Sequence, residues 1–154
     1  MTRVISCFIL PVRYCVILLA ACIVAGIAMR VTFDDVKLIR NGATEDVAFP
    51  IAKKMNDGEF FQVELDVRNP FGIAYDLRVV PDDCAESIVM NGQRIEVSDV
   101  HNRCNFSKGF LLKDSVLAPH RVGDKTHFSF SLKNNGGDAG LNLFIYQKSS
   151  IATV

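Results

Sequence analysis

Tryptophan is missing from the sequence and tyrosine is scarce: Tyr14 lies in an apolar N-terminal run, and Tyr75 and Tyr146 fall at strand-like positions. A ligand that stacks flat on a large exposed ring therefore has no obvious platform. Excess charge is missing as well, because 17 basic residues balance 17 acidic ones over 154 positions. With no basic stripe to neutralise phosphates, a nucleic-acid partner is excluded. The sequence also has no G-x-S-x-G elbow, H-E-x-x-H helix, phosphate-binding loop or dinucleotide-binding glycine pattern. Its carboxylates, including Asp34, Asp35, Glu86, Glu96 and Asp99, are scattered as on solvated β surfaces. Paired acids at catalytic spacing are not evident, so the chain does not read as an enzyme. There is no internal repeat and no low-complexity tract.

What is present begins with Tyr14–Met29, YCVILLAACIVAGIAM, sixteen residues without a charged side chain. As a helix they would span about 24 Å, somewhat short of a hydrocarbon core near 30 Å. Arg13 and Arg30 can extend their charges to the two interfaces, and the upstream run from Val4 adds apolar length. Residues 1–30 are thus expected to form an N-terminal transmembrane anchor or signal segment. The positive-inside tendency of Arg3 and Arg13 then places residues 31–154 outside the cytoplasm, in a periplasm or at a cell surface. Two variants give the same export: lipidation at Cys22 within the lipobox-like Leu19-Ala20-Ala21-Cys22, or cleavage near Gly26 to Ala28. Small residues Ala20, Ala21, Ala25 and Ala28 with Gly26 would also suit helix pairing in a bilayer.

Cys7, Cys15 and Cys22 belong to that segment, which leaves Cys84 and Cys104 for the exported domain. Two thiols in an oxidising compartment suggest one disulfide. Beyond Arg30 the pattern changes to short alternating runs punctuated by Gly, Asn, Asp and Pro, the mark of antiparallel β structure. Strands are expected at 31–39, 60–68, 75–80, 86–90, 93–97, 110–112, 127–132 and 141–147. In FFQVELDVRN, Phe61, Val63, Leu65 and Val67 share one face, and Phe128, Phe130 and Leu132 do the same in HFSFSLKN. One-sided strands of this kind need a second sheet over them. Asn41-Gly42 and Asn91-Gly92 supply two positive φ values for tight hairpins, and Gly136, Gly137 and Gly140 are read as places where backbones pass closely. The least periodic part, 43–59, is read as holding a short helix around Ile51 to Asn56.

The order PDDCAESIVMNGQRI, CNFSKGFLL, VGDKTHFSFSLKNNGGDAGL resembles galactose-binding-domain-like jelly rolls, found beside bacterial glycoside hydrolases and in membrane-linked cell-surface proteins. The likeness covers roughly residues 75 to 145 and lies in the pattern of turns and strands. It implies an all-β, antiparallel jelly-roll β-sandwich preceded by the N-terminal transmembrane helix. It also implies two functions: a carbohydrate-binding module at the cell envelope, or a structural subunit docking on an envelope or membrane protein. For the first, the loops carrying Asp82, Asp83, Arg103, Asn105, Lys108, Asn134, Asn135 and Asp138 are expected to meet at one edge and hold glycan hydroxyls. No cofactor is expected, although relatives of this type often carry a structural calcium, for which Asp82 and Asp83 are suitable ligands. Zinc on His101, Cys104 and Cys84 competes poorly with a disulfide for the same sulfurs. The sequon-like Asn105-Phe106-Ser107 matters only if the chain passes a glycosylating pathway.

Overall fold

A computed structural model describes residues 30–82, 84–96, 103–117, 123 and 125–148. The expected membrane segment lies outside these residues, as do Asp83 and His101. Among the described residues no helix is long and apolar enough to cross a membrane.

Among the described residues ten strands form two antiparallel sheets: β1 (Thr32–Arg40), β2 (Ala43–Asp46), β3 (Ile51–Lys54), β4 (Phe60–Arg68), β5 (Tyr75–Pro81), β6 (Cys84–Met90), β7 (Gln93–Arg94), β8 (Phe110–Leu112), β9 (Lys125–Lys133) and β10 (Asp138–Gln147). A helical turn, α1 (Asp114–Leu117), follows β8. The larger sheet runs β2-β1-β4-β9-β6-β7 and the smaller β3-β10-β5-β8. The result is an all-β sandwich compatible with a jelly roll.

Alternation dictates the packing. Phe61, Val63, Leu65 and Val67 on β4 and Phe128, Phe130 and Leu132 on β9 are all buried, and β4 pairs β9 in continuous register from Phe60↔Lys133 to Arg68↔Lys125. The facing sheet contributes Tyr75, Leu77 and Val79 from β5, Phe110 and Leu112 from β8, and Ala139, Leu141 and Leu143 from β10 to the same core. Removing this apolar area from water supplies the main drive to fold, at roughly 25 cal/mol per Å². The hairpins β1–β2 and β6–β7 close as expected, with both residues of Asn41-Gly42 and Asn91-Gly92 at positive φ.

Two expectations fail. Residues 51–54 are strand β3, which pairs Ile51 with Leu141 and Lys54 with Asp138 on β10. Burial of Ile51 and the β10 backbone bonds outweigh the weak local preference for a turn of helix. Gly136 and Gly137 serve by positive φ, with open space where a Cβ would stand, whereas Gly140 does lie against another backbone: a Cβ there would be 2.6 Å from the Ile51 carbonyl oxygen.

Two asparagines seal the ends of the β4–β9 pair. At one end the buried Asn69 amide donates to the Ile73 carbonyl at 2.8 Å and accepts from the Ile73 N–H at 2.9 Å, while its own carbonyl receives the Gly123 N–H at 3.1 Å. At the other end stands Asn134, whose environment bears on the candidate site.

Candidate functional site

The turn joining β9 to β10 is built on Asn134, which is 0% exposed. Its Nδ2 donates to the carbonyls of Asn56 at 3.0 Å, Met55 at 3.2 Å and Gly137 at 3.4 Å, and its Oδ1 accepts the Gly136 N–H at 2.9 Å. Backbone bonds to Glu59 (2.9 Å) and Gly58 (2.8 Å) complete the clamp. A buried amide with its groups engaged in this way holds a turn in shape. The same end of the sandwich carries Glu59, which accepts from Arg40 Nε at 2.5 Å, Arg40 Nη2 at 3.0 Å, Asn41 at 2.9 Å and the Asn56 N–H at 3.0 Å. The Arg40 guanidinium, helped by the Asn56 amide, lowers the Glu59 carboxyl to about 2.

Asn105 organises the loop before β8. Its Oδ1 accepts from the Ser107 hydroxyl at 2.8 Å and from the Ser107 and Lys108 N–H groups at 3.0 Å, and its carbonyl receives the Gly109 N–H at 2.7 Å. This is an Asx turn. Gly109 (φ +60°) is required where the loop enters β8, because a Cβ there would collide with the Val79 carbonyl oxygen. The loop is tied down twice more: Cys104 is disulfide-bonded to Cys84 at the start of β6, and the Arg103 carbonyl receives the Ala85 N–H at 2.9 Å.

The consequence of that fixed loop is the position of Phe106, which stands 70% exposed. Phe106 borders two depressions, one of about 240 Å³ lined also by Asp82, Cys104, Asn135 and Gly136, and one of about 260 Å³ lined also by Ile51, Ala52, Val80, Asp82, Leu141 and Asn142. Asp82 and Asn135, from two of the expected loops, therefore meet around an aromatic residue of the third. Asn135 is anchored by an Nδ2 contact of 2.7 Å to Cys84 Sγ, and the Asp82 N–H donates to the Gly140 carbonyl at 2.9 Å. The other expected residues are placed differently: Asn134 is inside the turn, Asn105 is turned into its own loop, Asp138 starts β10 opposite Lys54, and Arg103 borders a small crevice beside Ile88 and Ile95. Lys108, in the loop before β8, borders the trough described next.

The outer face of the smaller sheet continues from Phe106. On β5, Asp76, Arg78 and Val80 alternate with the buried Tyr75, Leu77 and Val79, and opposite them on β10 are Tyr146, Phe144 and Asn142. Leu111 of β8 pairs with Arg78 on the other side. Asp76, Arg78, Lys108, Leu111 and Tyr146 line a trough of about 540 Å³. Tyr146, 47% exposed, is its aromatic wall. Spacing alone could not reveal either ring as exposed. Phe106 is concealed in a sequon-like triplet, and the side of the sheet on which Tyr146 falls depends on its register with β5.

Among the described residues no three His, Cys, Asp or Glu side chains gather as metal ligands. No protein-family model matches the chain, and no curated protein matches it significantly.

Proposed function

We propose that the chain is a non-catalytic carbohydrate-binding module of the cell envelope, of the galactose-binding-domain type of jelly roll, held by its N-terminal segment with the sandwich outside the cytoplasm. One observation carries the reading: Phe106 is exposed and borders two depressions whose linings include Asp82, Asn135 and Asn142. A sugar presents an apolar ring face and a rim of hydroxyls. An aromatic side chain takes the first, and carboxylate and amide side chains take the second. The rigid loop beneath Phe106 reduces the ordering cost of binding.

The test is a glycan-array screen of the full chain in mild detergent, beside Phe106→Ala. Binding to a defined sugar class that the variant loses, with an unchanged melting temperature, is the expected result. Absence of glycan binding by a folded chain would refute the proposal.

A second reading, a docking subunit for a membrane or envelope protein, is favoured by Leu111 and Phe144, which are 41% and 44% exposed on the same sheet face. Under that reading the glycan array would stay blank, and Leu111→Ser and Phe144→Ser would release a co-purifying partner.

A further inference from the structure

The trough over Asp76 and Arg78 differs in charge from the surface around Phe106. Asp76 is already compensated: Lys148 Nζ lies 2.8 Å from its Oδ1, which also accepts the Asp114 N–H at 2.8 Å. Arg78 is held by a neutral group, its Nε and Nη2 donating to the Lys108 carbonyl at 2.8 and 2.5 Å. Among the described residues no acidic side chain pairs with Arg78 or with the Lys108 ammonium. Two uncompensated cations thus border a trough whose wall is the exposed Tyr146 ring. A fixed guanidinium beside an aromatic face is matched by a ligand that offers a carboxylate and an apolar ring face together. Asp76 on β5 and Asp82, just past the end of that strand, lie six residues apart, about 20 Å at roughly 3.3 Å per residue. A chain of several sugar units could therefore lie along one face and reach both aromatic residues.

We infer that this trough takes an acidic saccharide unit, its carboxylate on Arg78 with Lys108 nearby and its ring on Tyr146, so that the module prefers an extended acidic glycan. This rests on the carbohydrate reading above and adds the class of sugar.

The experiment is calorimetric titration of the full chain in detergent with an oligogalacturonate and with its carboxyl-reduced neutral counterpart. The variants are Arg78→Gln, Lys108→Gln and Tyr146→Ala. Arg78→Gln keeps an N–H donor for the Lys108 carbonyl while removing the charge, and Lys108→Gln leaves that backbone bond intact, which separates charge from folding. The acidic oligomer is expected to bind roughly tenfold or more tightly than the neutral one. Each charge variant should reduce that preference, and Tyr146→Ala should weaken both oligomers.

Equal affinity for the two oligomers would overturn the acidic preference and leave the carbohydrate reading standing. Preference that survives in both charge variants would overturn the assignment to this trough. Displacement of the acidic oligomer by inorganic phosphate, with no effect of Tyr146→Ala, would make the trough a bare anion site and also overturn it. Binding of neither oligomer, together with a blank glycan array, would remove the carbohydrate reading itself.

Discussion

Replacing Asn134 by alanine is expected to destabilise the sandwich while leaving the surface around Phe106 chemically unchanged. The amide is fully buried, and it makes three donor contacts and accepts one N–H. Truncation removes these bonds, so the Met55 carbonyl loses this donor and the Gly136 N–H this acceptor, while the Asn56 carbonyl keeps the Glu59 N–H at 3.1 Å. With about 1 kcal/mol for each bond and an added penalty for groups left buried and unpaired, the loss is about 2–4 kcal/mol. For a domain of this size about 4 °C per kcal/mol gives a fall of roughly 8–16 °C in melting temperature. Thermal unfolding followed by circular dichroism measures it. Asn134→Asp sharpens the test: it keeps the acceptor for Gly136 but sets a second oxygen against three carbonyl oxygens, and should be no more stable than the alanine variant. A shift below about 2 °C in both, or loss of glycan binding at an unchanged melting temperature, would refute the structural role and make Asn134 a ligand contact.

Three further expectations follow from the same structure. Reducing the Cys84–Cys104 disulfide frees a loop of sequence separation 20 and should remove about 3 kcal/mol of stability; an unchanged melting temperature after reduction would contradict it. Gly140→Ala should destabilise by about 1–3 kcal/mol, because the new Cβ would press on the Ile51 carbonyl oxygen at 2.6 Å and on Asp82 Cβ at 3.1 Å, and both belong to segments fixed by pairing; chemical denaturation with no shift in midpoint would argue against this close approach. The Glu59 carboxyl is lowered from 4.5 to about 2 in the folded chain. A depressed folded value means that its stabilisation is complete above about pH 4.5 and is lost as pH falls toward about 2. Glu59→Gln should flatten the stability profile in that window, and an identical slope would show that the Arg40 pairing contributes nothing.

The strand faces were legible because their cause is local. A period of two places Phe61, Val63, Leu65 and Val67 on one side whatever the rest of the chain does, and the burial of all four follows once any second sheet covers them. The Asn-Gly hairpins were legible for a similar reason, since two successive residues that tolerate positive φ bend the chain without help. Residues 51–54 were misread because their partner, β10, lies some ninety positions away, and only that pairing makes Ile51–Lys54 a strand.

For the candidate site the division is sharper. Composition marked Asp82, Asn135 and Asn134 alike as polar turn residues, and nothing in their spacing separates a side chain that faces solvent from one that holds a turn. Packing decided it, burying Asn134 beneath four hydrogen bonds while Asp82 and Asn135 remain outside beside Phe106. The sequence by itself determined the faces of the alternating strands, the Asn-Gly turns and the two cysteines that remain beyond Arg30, all properties of residue type and near neighbours. The tertiary structure alone decided that the Asx turn of Asn105 raises Phe106 into solvent and that the β5–β10 register sets Tyr146 opposite Asp76. A surface is made where distant segments meet, and the energy that fixes their meeting is the burial of the opposite face of the sheet.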